Sequence, residues 1–431
     1  MALVIGLRCI RCDRRYAPTA FAEDCPVCRQ EAPSSLAVVY EETLLGPRPR
    51  PDRLAGAAEG GIGSAAPAAL WRFGDTLPVT QDEAVTLGEG GTPLHRLDRI
   101  GADLGLSALY GKDESRNPTG SFKDRMAAVA VSTAVRMGAR VIASSSSGNA
   151  GAAVAAYAAK AGLPCIVFTF EGAAGPMVAQ MRAYGALVLT VRHKADRWTL
   201  LEAGIRKYGW FPTSPFFGPV VGSNPYGVEG YKTLAYEITE QLGWSVPDWC
   251  VLPVCYGDAL AGMWRGFDDQ RAFGWTDSAP RMAAAEIYGS LGAALEAGTD
   301  AVPDRPAGHK TIAGSIGATQ STFQALDVLR RSGGSAGTVG NDELHRWHDA
   351  LARREGLYVE ATSAASLALV ARLRQQGVMG ADDRVVVLLT ASGLKDDPSL
   401  GAGRLPDLPV LPDADLNRAV SVLASHYGFE L

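Results

Sequence analysis

Histidine is scarce in this chain. The six present, His95, His193, His309, His345, His348 and His426, show no metal-ligand spacing and read as structural or surface residues. Long apolar runs are missing as well. No stretch of roughly eighteen apolar residues occurs, so no membrane-spanning helix is expected. Met1 to Gly6 carries no basic segment followed by a long apolar run, so no signal peptide is expected and the cytoplasm is the expected compartment. Positive charge is not in excess: 41 Lys and Arg stand against 46 Asp and Glu, a net charge of −5. That balance argues against nucleic acid or an acidic membrane as the main partner. What remains is 431 residues with 47% apolar side chains, enough for two or three domains around a sizeable core.

Seven cysteines fall into two groups. Cys165, Cys250 and Cys255 are scattered, whereas Cys9, Cys12, Cys25 and Cys28 make two C-x2-C pairs separated by twelve residues. Without a secretion signal, this spacing predicts a tetrahedral four-thiolate zinc site, structural because no coordination position stays open. Asp13 and Arg29 follow the two pairs, where zinc ribbons usually carry glycine. Residues 1–45 are therefore expected to be a zinc-ribbon-like segment ending in a strand at Leu36 to Tyr40. Arg8, Arg11, Arg14, Arg15 and Arg29 read as a solvated face of that ribbon rather than a nucleic-acid surface.

The Pro-, Gly- and Ala-rich residues 46–69 read as a linker. Beyond them, short apolar runs alternate with helical periodicity. Strands are expected at Val141 to Ser144, Cys165 to Phe168, Leu187 to Thr190, Cys250 to Pro253 and Val385 to Leu389. Helices are expected at 126–137, 149–161, 176–184, 228–242, 258–267, 342–355 and 363–376, with a further one in 413–431. Alternating strands and helices with buried apolar strands predict an α/β fold with parallel-rich sheets, which bind ligands beyond the carboxyl ends of their strands.

Four segments carry chemistry. Lys123 lies in Asn-Pro-Thr-Gly-Ser-Phe-Lys-Asp-Arg (117–125), a turn opening an alanine-rich helix. A lysine that loses its proton in a desolvated pocket is the amine that captures pyridoxal phosphate as a Schiff base. Ser144 to Gly151 places Asn149 and consecutive amides at a helix N-terminus, where anions are favoured. Pro253 to Gly262 includes Cys255, Tyr256, Gly257, Asp258 and Ala259, whose amides are placed to cradle a phosphate if the Asp258 carboxylate turns away. Thr390 to Asp396 ends the last strong strand, and a hydroxyl of Thr390 or Ser392 suits a ring nitrogen. Taken singly, each has a plainer reading: a solvated lysine, a capped Ser/Gly turn, a weak glycine loop, a strand end.

In this order along the chain, the segments resemble the fold type II pyridoxal-phosphate enzymes and, within them, the threonine synthase family. Trp71-Arg72-Phe73, Leu87 to Leu94, Asn224 to Thr233 and Glu360 to Ser366 resemble further family segments. The resemblance implies a two-lobed catalytic unit over 70–412, similar to tryptophan synthase β, with the smaller lobe at about 114–227. It implies that Lys123 holds the cofactor, Asn149 meets the ring hydroxyl oxygen, residues 255–259 take the phosphate and Thr390 meets the ring nitrogen. Thr119, Ser145, Ser146 and Ser147 are the expected substrate contacts, for a small, phosphorylated amino acid. The implied reaction is conversion of O-phosphohomoserine to threonine; a homodimer is also expected. A related β-elimination or β-replacement enzyme and a cofactor-binding regulator are the rival readings. The family's closing histidine is replaced by Ser392, and its Gly/Asn-rich phosphate loop by Cys255 to Ala259.

Overall fold

The computed structural model of the chain describes residues 4–20, 24–41, 46–51, 70–173, 175–216, 220–396, 409–412 and 414–429. It contains three sheets among the described residues. Strands β1 (Val4–Cys9), β2 (Arg15–Tyr16) and β3 (Leu36–Tyr40) form a small antiparallel sheet in the order β2-β1-β3. Next come β4 (Leu94–Arg96) and β5 (Ala108–Asp113), then β6 (Ile142–Ser145), β7 (Cys165–Phe170), β8 (Leu187–Val191) and β9 (Phe211–Pro212). The chain closes its large sheet with β10 (Trp249–Pro253), β11 (Arg281–Glu286), β12 (Ser335–Thr338) and β13 (Arg384–Leu389).

The large sheet runs β12-β11-β10-β13-β5-β4 and is parallel except for β4. The other, β8-β7-β6-β9, is wholly parallel and is inserted in sequence between β5 and β10. Central strands β10, β11 and β13 are buried over almost their whole length, as strands covered on both faces by helices must be. That explains the near-continuous apolar runs read as strands at Cys250 to Pro253 and Val385 to Leu389.

Strands β5, β11 and β12 were not legible. Arg-Met-Ala-Ala-Ala-Glu at β11 has helical propensity, and Ser-Ala-Gly-Thr at β12 has little of either kind. Pairing decides the matter: β11 lies between β10 and β12, with Trp249 opposite Arg281 through Pro253 opposite Ala285 on one side and Ala283 opposite Ser335 through Glu286 opposite Thr338 on the other, and β5 lies between β13 and β4, so ladder hydrogen bonds replace those a helix would make internally. The helix expected from Met126 starts at Lys123 and ends at Arg136. Helix 228–242 is a 3-10 turn followed by Lys232–Gln241.

Residues Met1–Asp396 form one compact unit and Asp397–Leu431 another. Within the second lies the helix Leu416–Tyr427, capped by the Asp415 carboxylate, which accepts from the Asn417 and Arg418 amides. Of the segment read as a linker, residues 46–51 are described and 52–69 lie outside the described residues. Arg48 donates its amide to the Phe273 carbonyl at 3.1 Å, and Arg50 its guanidinium to the Trp275 carbonyl at 2.8 Å. No helix among the described residues is long and apolar enough to cross a membrane.

Candidate active site

A cavity of about 220 Å³ is lined by residues at and just beyond the carboxyl ends of β6, β10 and β13. Lys123 contributes from the first turn of the Lys123–Arg136 helix. Gly120, at φ +80°, lets the preceding turn close, its amide donating to the Asn117 carbonyl at 2.8 Å. The turn is laced to the segment after β13: the Phe122 amide donates to the Thr390 carbonyl at 2.9 Å and the Ser392 amide to the Gly120 carbonyl at 3.0 Å. The Glu360 amide joins through the Ala391 carbonyl, 2.9 Å away. Backbone pairing thus brings the lysine turn against two segments that lie more than two hundred residues further along the chain.

The Lys123 ammonium lies 4.5 Å from the Phe122 ring centre and 5.6 Å from that of Tyr231. Burial lowers its pKa, against weaker raising influences from Asp258, Cys255 and Glu360. Among the described residues no carboxylate forms an ion pair with it.

Glu360 was legible as a motif residue but not as a member of the site. It is buried and bridges the site, accepting from Asn149 Nδ2 at 3.0 Å and from the Thr390 hydroxyl at 2.8 Å. Desolvation, with the Asp396 charge beside it, pushes its carboxyl up to about 7. Asn149 Oδ1 is buried with no protein partner. Thr390 is further fixed by Ser363, whose hydroxyl oxygen lies 2.9 Å from both its Oγ1 and its amide.

The turn after β10 resolves the question raised by Asp258. Gly257 takes φ +79°, and a Cβ there would lie 2.4 Å from the Ala325 Cβ, so only glycine fits. Asp258 is the first residue of the helix Asp258–Ala272, and Gly257 occupies the N-cap position. Its carboxylate is taken up by the Ser223 amide at 3.0 Å, the Ser223 hydroxyl at 2.6 Å and Gln324 at 2.8 Å. Ser321 and Thr322 hold the loop from the other side through the Cys255 and Tyr256 carbonyls, at 2.7 and 2.6 Å. These partners sit in segments without a recognisable motif, which is why sequence reading missed them. The amides of residues 257–260 are left at the start of a fifteen-residue helix, where four donors have no intrahelical partner.

Ser145, Ser146 and Ser147 line the cavity. The Ser146 hydroxyl accepts from the Gly148 and Gly151 amides at 3.2 and 3.0 Å, whereas Ser145 Oγ is buried and unpartnered. Thr119 stands apart from the lining: its hydroxyl donates to Asp124 at 2.6 Å and its amide to the same carboxylate at 2.7 Å. Lys194 and Arg197, which lie outside every segment singled out in the sequence, line the cavity.

Residues 85–391 match the family model described as pyridoxal-phosphate dependent enzyme. The chain is 32% identical over 415 residues to the threonine synthase of Methanocaldococcus jannaschii, covering 95% of this chain and 97% of that protein. It is 38% identical over 331 residues to the threonine synthase of Methanosarcina acetivorans, with 76% and 80% covered. The chain belongs to the threonine synthase family. Maize serine racemase has the same fold, with a TM-score of 0.60 at 19% identity over 78% of this chain and 92% of that one. Threonine deaminase isoform 2 from Solanum lycopersicum, in its processed form, gives 0.58 at 18% identity, with 70% and 83% covered.

For a threonine synthase family member, the cavity has the groups the cofactor requires. It offers an unpaired amine, an orphaned amide oxygen, a neutral hydroxyl fixed by a buried acid, and a glycine-shaped cradle of amides. The N-terminal cysteines also converge. Sγ atoms of Cys9, Cys12, Cys25 and Cys28 all lie within 4.8 Å of one another, with Cys9 to Cys28 at 3.9 Å and Cys12 to Cys25 at 3.7 Å. Amides of Arg11 and Cys12 each donate to Cys9 Sγ at 3.4 Å. Asp13 adopts φ +64° at the place where glycine was missing, while Arg29 keeps a negative φ.

Proposed function

We propose that this protein converts O-phosphohomoserine and water to threonine and phosphate, with Lys123 as its catalytic amine. The observation that supports this most is an unpaired, desolvated lysine sharing a cavity with Asn149, Thr390 and the 255–260 loop, in a chain matching threonine synthases over nearly full length. Lys123 would hold the cofactor through its aldehyde carbon, and the loop amides would hold its phosphate. Thr390 would meet the ring nitrogen and Asn149 the ring hydroxyl oxygen. Bound there, pyridoxal phosphate supplies an electron sink for negative charge at the substrate Cα.

The chain's own residues do the rest. Burial keeps the Lys123 amine closer to its neutral form, so Nζ can accept the Cα proton. Thr390 carries no charge, and Glu360, whose carboxyl is pushed up to about 7, can when protonated donate to the Thr390 oxygen, which frees that hydroxyl's one proton for the ring nitrogen. Ser145, with its unpartnered hydroxyl, and Ser147 are the groups available for the substrate carboxylate. Over the whole reaction phosphate leaves Cγ, and water adds at Cβ.

The four cysteines would hold a structural zinc ion. A tetrahedral site with Zn–S bonds of about 2.3 Å has sulfur–sulfur edges of about 3.8 Å, which the observed pairs match. The ribbon bears on the catalytic unit, because Tyr40 donates to Glu229 at 2.8 Å and the Gly222 amide donates to Ser35 at 3.0 Å. One zinc per chain is expected by elemental analysis, and a chelator should lower the melting temperature.

Purified protein offered O-phosphohomoserine, O-phosphoserine, serine and threonine in turn, with phosphate, amino acids and keto acids measured, tests the reaction. Threonine and phosphate in equal amounts from O-phosphohomoserine are expected. Keto acid from serine with no threonine from O-phosphohomoserine overturns the reading in favour of a β-eliminating relative.

A further inference from the structure

Ser35 belongs to the N-terminal ribbon and does not line the cavity, yet it holds a segment that does. Residues of both cysteine pairs fix its place. The amide of Ile10, between Cys9 and Cys12, donates to the Ser35 carbonyl at 3.2 Å, and the Cys25 amide donates to the Ser34 carbonyl at 2.9 Å. Ser35 is buried, and its hydroxyl accepts from the Gly222 amide at 3.0 Å across the junction with the catalytic unit.

Gly222 packs directly on the acid of the loop after β10: a Cβ there would overlap the Asp258 carboxylate and the Gln324 amide. The next residue, Ser223, lines the cavity and supplies two donors to that carboxylate, its amide at 3.0 Å and its hydroxyl at 2.6 Å. Gln324 supplies another at 2.8 Å. Asp258 is itself buried, lines the cavity and opens the helix whose first amides are the candidate phosphate cradle. A carboxylate there that lost its donors would compete for those amides and repel a phosphate. An acid is tolerable in this loop only while it is engaged elsewhere, and the ribbon anchors the residue that engages it twice.

We propose that Ser35 is a positioning residue for the cofactor. From the ribbon it holds Gly222 and Ser223 so that Asp258 stays occupied and the loop amides stay open to the cofactor phosphate. This rests on the reading of residues 257–260 as the phosphate cradle, and it makes the ribbon part of the cofactor site.

The full-length chain, freed of cofactor, is titrated with pyridoxal phosphate and with pyridoxal, which lacks the phosphate, and binding is followed by visible absorbance. The wild type is expected to bind the phosphorylated compound at least about tenfold more tightly. Ser35→Ala should weaken pyridoxal phosphate by about 3- to 10-fold, the effect of one lost hydrogen bond, and leave pyridoxal unchanged. Ser35→Thr keeps the hydroxyl and should retain wild-type affinity, because a cavity of about 20 Å³ lined by Ser35 and Gly222 has room for the added methyl. The deciding measurement is made in the Asp258→Asn background, where no charge is left to hold aside. There Ser35→Ala should change the affinity by less than about twofold. An equal loss in both backgrounds would mean that Ser35 acts through stability alone, and a loss shared by pyridoxal would mean that it acts away from the phosphate; either overturns the proposal, as does no change. If Ser35→Ala does not fold, Ser223→Ala, at the other end of the link, carries the same test. A wild type that binds pyridoxal as tightly as pyridoxal phosphate removes the cradle and the proposal with it. None of these readings depends on the product formed, so the O-phosphohomoserine assay succeeds or fails separately.

Discussion

Lys123 and Arg125 stand two residues apart at the start of one helix, and their surroundings are opposite. Arg125 is fully buried with its charge balanced. Its guanidinium meets Glu114 at 2.7 and 2.8 Å and Glu237 at 2.7 and 2.8 Å, with Thr233 at 2.9 Å and Thr92 at 3.2 Å. Lys112 joins through Glu237 at 2.7 Å. Burial works against the charged form of Arg125, but Glu114 and Glu237 overcome it and hold its pKa well above the usual value. Burial likewise raises Glu237, yet Arg125 and Lys112 hold it well below the ordinary carboxylate range. Lys123 has none of this compensation and loses proton affinity instead. Within a single motif, a paired charge serves the fold and an unpaired one is free for chemistry.

That contrast can be broken in order of size. Lys123→Ala should reduce turnover to background and abolish the cofactor's visible absorbance while the urea midpoint stays within about 1 kcal/mol of the wild type or rises, because an unpaired buried amine is removed. Persistence of the absorbance would assign the cofactor to another lysine. Glu237→Gln should do the reverse. It leaves Arg125 and Lys112 facing a neutral amide and is expected to lower stability by about 3–5 kcal/mol in urea denaturation.

Glu360 lies between these extremes, buried and hydrogen-bonded but with no cation in contact among the described residues. A carboxyl raised from 4.5 to about 7 binds its proton more tightly in the folded state. Its contribution is therefore complete below about pH 4.5 and is lost as pH rises to about 7, amounting to about 3 kcal/mol. Asp124, pushed up to about 7 by burial, slopes the same way. Subtracting the Glu360→Gln apoprotein from the wild type across pH 4 to about 8 isolates the first of them. A difference that is flat with pH would mean that Glu360 is ionised throughout.

The smallest effect is a backbone one in the ribbon. Asp13 sits at φ +64°, where Asp is tolerated and β-branched side chains are not. Asp13→Gly should be close to neutral, because relief of strain is offset by greater freedom of the unfolded chain and by loss of the exposed Arg8–Asp13 pair. Asp13→Val should lower the melting transition by the equivalent of about 1–2 kcal/mol.

Much of the site was legible because short-range chemistry fixes it. Lys123, Asn149, Gly257 and Thr390 stand at strand ends or helix starts that local pattern announces, and all line the cavity. The ribbon cysteines were legible from spacing alone, since two C-x2-C turns need only one sheet to converge. Glu360 as a bridge, Ser223 and Gln324 as partners of Asp258, and Arg197 as a cavity cation were not. Each depends on which distant segment lies against it, and nothing in the neighbouring residues of Arg197 distinguishes a solvated helix start from a buried one.

The sequence by itself determined the alternation of strands and helices, the lysine turn, the glycine at a left-handed position and the membership of the family, because these follow from periodicity, backbone freedom and residue type at fixed spacing. Tertiary structure alone decided the charge state of the site. Desolvation and pairing are set by neighbours far away in the chain, so only the fold shows that Arg125 is held charged between two carboxylates, that Glu360 is pushed toward its protonated form, and that Lys123 and Arg197 have no carboxylate partner among the described residues.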